Sequence, residues 1–168
     1  MLHAAPDLIF GYGNPSRGDD ALGPMLVDHL RERPLWLEHG GPQRVELLTD
    51  YQLQPEHALD LRGRSRVLFV DASATCAEPC VLFPLTPNPQ ASVFTHALSP
   101  GALLAVFERI EHAPPPASWM LAIRGYSFEL GEPLGERARE NFEAAILRAR
   151  EWLAAPAEAT ATGATPRP

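Results

Sequence analysis

Three acids and one histidine have the types and positions expected of a metal-dependent site. Asp19 and Asp20 follow a glycine-rich turn in the segment LIFGYGNPSRGDDALGP. Asp71 directly follows the apolar run RVLFV, and His96 lies in the later segment SVFTHALSP. Carboxylate oxygens together with a neutral imidazole suit zinc, nickel, manganese or iron(II). A set of two carboxylates and one imidazole also leaves coordination positions open, as a reactive or transfer site requires.

Each of these residues also has a structural interpretation. An acid in the first turn of a helix caps it and complements the helix dipole. This favours a capping role for Asp19 and leaves the role of Asp20 undecided between a cap and a ligand. Asp71 would serve to begin a turn, although its place beyond a wholly apolar strand favours function. A lone histidine such as His96 is a weak signal. His57, near the end of a predicted strand, is expected to cap or to pack.

The elements that must position these residues alternate between strand and helix. Apolar runs predict strands at 7–13, 44–50, 65–72, 80–86 and 119–128, and helical periodicity predicts helices at 19–33, 54–61, 99–110 and 133–155. This order predicts an α/β domain with a mainly parallel sheet and helices on both faces. Pro84 indicates an edge strand or a bulge. Ligands bind at the carboxyl ends of such strands, so Asp20 and Asp71 converge if their strands are neighbours.

Composition limits the classes of partner. The chain has 168 residues, a formal net charge of -7 and no lysine. Since phosphate binding relies on clustered basic residues, we expect neither nucleic acid nor a membrane surface as partner. No apolar run is long enough to cross a bilayer, and no signal-peptide pattern is visible, so we expect a cytoplasmic protein. We expect one domain over residues 1–155, followed by a disordered tail over 156–168.

The two cysteines, Cys76 and Cys80, form a C-x3-C pair. Two cysteines cannot close a zinc site alone, so the simplest interpretation is a pair of reduced thiols, with a redox or soft-metal role as the alternative. Without lysine a Walker-type phosphate loop is impossible, and the third glycine of a dinucleotide-binding loop is missing. GYGNP is similar to the opening of bacterial peptidyl-tRNA hydrolases, but their histidine-containing continuation is absent here.

The segments GYGNPSRGDDALGP, LFVDASA and FTHALSPGALL, in this order, resemble the [NiFe]-hydrogenase maturation endopeptidases. These enzymes remove a C-terminal extension from the hydrogenase large subunit once nickel has been inserted. The resemblance spans about 7–153, and its first motif is G-x-G-N, four residues, an acidic pair and x-x-G. It implies a three-layer α/β/α sandwich around a mixed, mainly parallel sheet, of the phosphorylase/hydrolase-like kind.

The resemblance also implies roles for individual residues. Asp20 and Asp71 match metal-ligand positions, and His96 matches the family histidine in the Thr-His context that some members have; others carry it after a Ser-Pro pair, where this chain has Gly101. The nickel would arrive with the large-subunit precursor, so the resting enzyme is expected to be largely metal-free. Asp20 and Asp71 would also be the catalytic residues, with water activated by an aspartate, as in aspartyl proteases, or by the metal. Asp19 would then be a cap.

One loop departs from the common family pattern. After the second predicted strand many members have an acid followed by glycines and a threonine, whereas this chain has TDYQLQPEHALDL, in which Asp50 keeps the acid. This version resembles the endopeptidases that serve NAD-linked, soluble or bidirectional hydrogenases. It leaves open whether His57 assists at the metal. The alternative function is a nickel-dependent maturation chaperone that binds the same precursor without cutting it.

Overall fold

The structure, a computed structural model, describes residues 4–33, 44–90 and 98–156. His96 and most of the predicted tail lie outside these residues. Within them, the strands are β1 Asp7–Tyr12, β2 Val45–Asp50, β3 Arg66–Ser73, β4 Cys80–Leu85 and β5 Ala117–Arg124. The α-helices are α1 Leu22–Glu32, α2 Pro100–Glu111 and α3 Glu136–Ala154, and 3-10 helices cover Gly18–Ala21 and Pro55–Leu61.

The described strands form one mixed sheet in the order β2-β1-β3-β5-β4. The first four are parallel to their neighbours, and β4 runs antiparallel to β5 at the edge. Pro84 lies in this edge strand, as predicted, because a residue without an N–H cannot complete the ladder of a central strand. β1 and β3 are direct neighbours, so their carboxyl ends meet at one edge of the sheet.

Helices cover both faces of the sheet. On one face α1 and α3 pack against the strands, and the predicted stripe of Leu22, Leu26 and Leu30 is fully buried there. On the other face, α2 and the 3-10 helix Pro55–Leu61 supply a second apolar layer. The result confirms the predicted three-layer α/β/α architecture.

Two glycines let α1 begin close above the sheet. A Cβ atom added to Gly23 would lie 2.5 Å from the Tyr12 carbonyl oxygen and 2.6 Å from that of Val70. A Cβ added to Gly11 would lie 2.3 Å from the Gly23 carbonyl oxygen. No side chain fits at either position without displacing the backbone. These contacts place the start of α1, and the acids before it, over the ends of β1 and β3.

The opposite, amino edge of the sheet is closed by polar contacts. Asp7 and Arg66 are paired in register at the start of β1 and β3, and both are buried. Arg66 also donates hydrogen bonds to the carbonyl oxygens of Trp152 and Ala155 at the end of α3. Its guanidinium lies 4.2 Å from the centroid of the Trp152 ring. This end of the sheet therefore anchors the last helix.

Among residues 4–33, 44–90 and 98–156, no helix is both long and apolar enough to cross a membrane.

Candidate active site

Tyr12 and Asp71 occupy equivalent places at the ends of two neighbouring strands. Gly11 pairs with Val70 in the β1–β3 register, so Tyr12 and Asp71 come next on each strand. Because side chains alternate along a strand, Tyr12 is on the same face as Phe10, and Asp71 on the same face as Phe69. Both phenylalanines belong to the apolar layer under α2, and Tyr12 packs against that layer. Tyr12 and Asp71 therefore lie side by side at this edge, close enough for the charge of Asp71 to act on the Tyr12 hydroxyl.

Asp20 reaches the same edge from the loop after β1. Gly13 has a φ of 139° and passes so close to Asp20 that an added Cβ would lie 2.1 Å from the Asp20 carbonyl oxygen. Only glycine combines this backbone conformation with this approach. The Asn14 N–H then donates to Asp20 Oδ2 at 2.9 Å. The G-x-G-N motif therefore has a physical reason: it builds a loop that places and holds the second acid.

The pKa of Asp71 is raised from its ordinary value of 3.8 to about 7. Burial is the largest cause, since a low-dielectric environment disfavours the charged form, and the nearby Asp20 charge adds to it. A hydrogen bond from the Ala72 N–H to Asp71 Oδ1, at 2.8 Å, opposes the shift. Asp71 therefore changes protonation near neutral pH. Carboxylates whose pKa values are shifted in this way are concentrated at catalytic and binding sites.

The pKa of Tyr12 is raised well above its ordinary value of 10.0. Burial is again the main cause, followed by the charge of Asp71. Tyr12 therefore remains a neutral phenol at physiological pH.

Asp20 and Asp71 are not neutralised by a cation from the described part of the chain. The ion pairs formed there involve other carboxylates. Two neighbouring carboxylates without a cationic partner favour a bound metal ion or a shared proton. Within residues 4–33, 44–90 and 98–156 no third His, Cys, Asp or Glu joins them to complete a metal-binding group. His96, the predicted third ligand, lies outside those residues, so its role stays a prediction.

Asp19 has a structural role, but the predicted one was wrong. Its side chain caps neither the 3-10 helix Gly18–Ala21 nor α1. It is fully buried, and it accepts hydrogen bonds from the N–H groups of Tyr126, Ser127 and Gly135 at 2.7, 3.1 and 2.9 Å. A carboxylate that several backbone donors surround is satisfied without a cation. Asp19 therefore ties the loop between β5 and α3 to the loop that carries Asp20.

His57 caps and packs, as the sequence predicted. Its Nδ1 accepts the Gln54 N–H at 2.9 Å, and its Nε2 lies 3.2 Å from Asp50 Oδ2. The ring also meets Phe10 edge-on at 4.8 Å between centroids. Both ring nitrogens are therefore engaged within the loop after β2, and His57 is not available as a ligand in this conformation.

A groove of about 340 Å³ opens at the carboxyl ends of β1 and β2, next to Gly13, whose backbone lies against Asp20. It is lined by Gly13, Pro15, Pro24, Thr49, Asp50 and Tyr51. The Tyr51 side chain is 68% exposed. Its backbone N–H donates to Asp50 Oδ1 at 2.6 Å, and Asp50 is in turn held by His57, so the aromatic ring projects from a braced loop. This groove extends the site away from Asp20 along the end of β2.

The two cysteines are free thiols, in agreement with the simplest prediction. Cys76 Sγ lies 3.6 Å from the Ala122 carbonyl oxygen, and burial raises the pKa of the Cys80 thiol. A raised pKa disfavours the reactive thiolate.

No family model and no curated protein sequence matches this chain. Solved structures do. The hydrogenase maturating endopeptidase HybD from E. coli aligns over 88% of this chain and 91% of its own, with a TM-score of 0.67 and 20% identity. The [NiFe] hydrogenase maturation protease HycI from Thermococcus kodakarensis aligns over 89% and 92%, with a TM-score of 0.63 and 24% identity.

A hydrogenase 2 maturation peptidase from a Thaumarchaeota archaeon is also similar, over 88% of this chain and 97% of its own, with a TM-score of 0.60 and 22% identity. These structures match the chain over most of its length. The chain therefore has the fold of the hydrogenase maturation endopeptidases. At this level of identity the similarity establishes the fold, and the activity needs a separate argument from the site.

Proposed function

We propose that this protein is a hydrogenase maturation endopeptidase that removes the C-terminal extension of a nickel-loaded [NiFe]-hydrogenase large-subunit precursor. The observation that carries the proposal is the pair of carboxylates at the carboxyl edge of β1 and β3. Asp20 and Asp71 have no cationic partner there from the described chain, the charge of Asp20 acts on Asp71, and the pKa of Asp71 is about 7. The fold shared with hydrogenase maturation endopeptidases supports the same conclusion.

Substrate recognition would come first. In this proposal the precursor brings its nickel, and the free coordination positions of that nickel are taken by Asp20, Asp71 and His96. The two carboxylates then act as a test of maturity, because a precursor without nickel gives them nothing to bind. Docking through a fixed metal ion holds the scissile bond in one orientation, and such positioning accounts for a large part of the rate of a bond-breaking step. The enzyme itself keeps no resident metal.

Hydrolysis then needs an activated water molecule. The water oxygen bonds to the scissile carbonyl carbon, the carbon–nitrogen bond breaks, and the proton lost by water ends on the released amine. Asp71 is suited to accept that proton, since a general base works best with a pKa near the working pH. Activation by the precursor's nickel is the second route compatible with the same residues.

The groove beside Asp20 is the proposed contact for the precursor's peptide chain. Tyr51 offers an exposed, braced aromatic ring in the lining of this groove. The loop that carries it is where this chain departs from the common family pattern. We therefore assign to this loop the choice of precursor, and propose the large subunit of an NAD-linked hydrogenase, matured in the cytoplasm, as the substrate.

Mass spectrometry of the precursor tests the proposal. Nickel-loaded and nickel-free large-subunit precursors are incubated with the wild type and with Asp20→Asn, Asp71→Asn and His96→Ala. Asp28→Asn is the matched control, because Asp28 is an exposed acid on α1. We expect loss of one C-terminal peptide from the loaded precursor alone, with the wild type and the control. The variants at Asp20 and Asp71 should leave the precursor intact.

The same experiment separates the endopeptidase from its alternative. A nickel-dependent chaperone would form a stable complex with the loaded precursor and leave its mass unchanged. Cleavage of loaded and nickel-free precursors at equal rates would contradict the proposed nickel test while keeping the peptidase. Cleavage by Asp71→Asn at the wild-type rate would remove Asp71 from the mechanism.

A further inference from the structure

β2 forms one edge of the sheet, and among the described strands it pairs with β1 alone. The Asp7 N–H donates to the Arg44 carbonyl, and the Gly13 N–H donates to the Asp50 carbonyl. Since the residues of a parallel strand bond alternately to one side and to the other, the even-numbered residues of β2 are the ones that bond to β1. The backbone N–H and C=O groups that point away from the sheet are those of Val45, Leu47 and Thr49.

β2 lacks the devices by which edge strands keep another strand away. Such strands usually carry a proline, a bulge or a free charge, and the other edge strand, β4, contains Pro84. β2 has no proline, and its register with β1 is continuous over six residues. Its two acids are engaged within the chain, Glu46 with Arg64 at 2.6 Å and Asp50 with His57 at 3.2 Å. The outer side of β2 is therefore able to accept another strand.

An added strand would meet apolar surface on both faces of the sheet. Leu47 packs against the apolar layer under α1, and Leu48 packs against the layer under α2. Both leucines are only partly buried. Because the side chains of a strand alternate between the two faces, apolar residues at successive positions of an added strand would cover both leucines. The edge therefore suits an extended segment with apolar side chains.

The outer side of β2 is continuous with the groove proposed for the precursor's peptide chain. Thr49, whose backbone points outward, lines that groove together with Gly13. The backbone of Gly13 in turn lies against Asp20. A peptide that leaves the acids through the groove therefore reaches β2 at its carboxyl end. If it continues along the edge, it runs towards the amino end of β2 and is antiparallel to it.

We propose that the C-terminal extension of the precursor binds as an added strand, antiparallel to β2. This inference rests on the proposed function and adds to it the way in which the extension is held. Backbone hydrogen bonds supply the affinity in strand addition, and contacts with alternate side chains supply the specificity. An added strand must be extended and unpaired, so the folded body of the precursor is not bound in this way.

Amide hydrogen exchange, measured by NMR on the wild type, gives the first test. The full-length protein is mixed with a synthetic peptide that has the sequence of the precursor's extension. We expect exchange of the outward N–H groups of Leu47 and Thr49 to slow by about tenfold or more. The N–H groups of Glu46 and Leu48 bond to β1 with or without the peptide, so their exchange should not change. A contact through side chains alone would not produce this alternation.

Kinetics on the nickel-loaded precursor give the second test. Leu47→Pro removes an outward N–H at an edge position, where the fold tolerates proline. We expect KM to rise about tenfold while kcat stays within about twofold, because the lost hydrogen bond contributes to binding and not to the bond-breaking step.

Leu82→Pro is the matched control. Leu82 is also a partly buried leucine under α1, and it lies in β4, at the opposite edge of the sheet. Its N–H points outward as well, since the Arg124 N–H donates to the Pro79 carbonyl and bonding alternates along β4. This variant should cleave like the wild type, and thermal unfolding of the three proteins checks that the fold is retained.

The outcomes separate this inference from the proposed function. If the wild type cleaves the loaded precursor but the peptide does not slow exchange at Leu47 and Thr49, strand addition is overturned and the endopeptidase stands. Equal rises of KM in Leu47→Pro and Leu82→Pro would overturn it as well. Exchange that slows without peptide as the protein concentration rises would assign the edge to a second copy of the chain instead. A wild type that does not cleave overturns the proposed function and this inference together.

Discussion

The guanidinium of Arg66 binds the carboxylate of Asp7 through two hydrogen bonds, Nε to Oδ1 at 2.9 Å and Nη2 to Oδ2 at 2.8 Å. Both residues are 1% exposed. The pair lies at the amino edge of the sheet, at the opposite ends of β1 and β3 from Asp71. The two edges of the sheet therefore differ. At the amino edge the charges are paired, whereas the carboxylates at the carboxyl edge have no cationic partner among the described residues.

Arg66→Met should destabilise the protein strongly. The change leaves Asp7 with only its weaker contact to Arg44, at 3.2 Å, and removes the donors to the last carbonyls of α3. Breaking a buried pair in this way costs about 3–5 kcal/mol in the free energy of unfolding. Urea denaturation measures it, with Arg148→Met as control, because the Arg148–Glu151 pair is exposed and worth less than about 1 kcal/mol. Equal losses in both variants would contradict the assignment.

Asp19→Ala should loosen the loop between β5 and α3. The carboxylate accepts three backbone hydrogen bonds there, and leaving buried donors unpaired costs about 3 kcal/mol. We expect a lower melting temperature and faster limited proteolysis between residues 125 and 135. Asp28→Ala, which changes an exposed acid, is the control and should behave like the wild type. Unchanged proteolysis in Asp19→Ala would show that the loop is held by other contacts.

Asp71→Asn should stabilise the protein at alkaline pH. The folded protein keeps the Asp71 proton up to about pH 7, whereas the ordinary pKa is 3.8. Between these values the folded state binds more protons than the unfolded chain, so the contribution of Asp71 to stability falls as the pH rises through this window. Each pKa unit corresponds to about 1.4 kcal/mol, and partial solvent screening reduces the total to about 2 kcal/mol.

Thermal unfolding at several pH values measures this effect. At pH 8 the melting temperature of Asp71→Asn should exceed that of the wild type by about 6 °C for a chain of this length. The difference should shrink towards pH 4, where both states hold the proton. Asp28→Asn should show no such pH-dependent gain. A melting temperature of Asp71→Asn below that of the wild type at pH 8 would contradict the raised pKa.

The pH dependence of cleavage distinguishes the two routes for activating water. In the free enzyme the pKa of Asp71 is about 7, so kcat/KM on the loaded precursor should fall tenfold per pH unit below it. The pH profile of kcat reports groups in the enzyme–substrate complex. If Asp71 is the general base, kcat falls at low pH as well. If Asp71 stays bound to nickel, kcat is flat over the same range. A kcat/KM that does not change with pH would contradict both routes for activating water.

Much of the fold follows from local patterns in the sequence. The run RVLFV is apolar at every position, as a strand buried on both faces must be, and Leu22, Leu26 and Leu30 have the spacing of one helical face. The convergence of Asp20 and Asp71 followed from one further rule, that parallel strands end at a common edge. Gly11 and Gly13 were part of the recognised motif, although their close contacts became visible only in three dimensions.

Other contacts have no local signal. Asp19 binds N–H groups more than 100 residues away along the chain, so its carboxylate could be interpreted only as a cap of the nearest helix. Arg66 lies within the predicted strand, but nothing in its local sequence indicates that this charged residue is buried with Asp7. The placement of Tyr12 beside Asp71 depends on strand register, which the sequence does not specify. His96 remains a prediction from the sequence.

The three backbone donors around Asp19 also set an order of assembly. A growing chain that ends at residue 120 already contains Asp19, Asp20 and Asp71, but not the N–H groups of Tyr126, Ser127 and Gly135. Until those are synthesised, Asp19 lacks both its hydrogen-bond donors and the residues that cover it. The loop that carries Asp20 therefore gains this anchor only once the chain has reached α3.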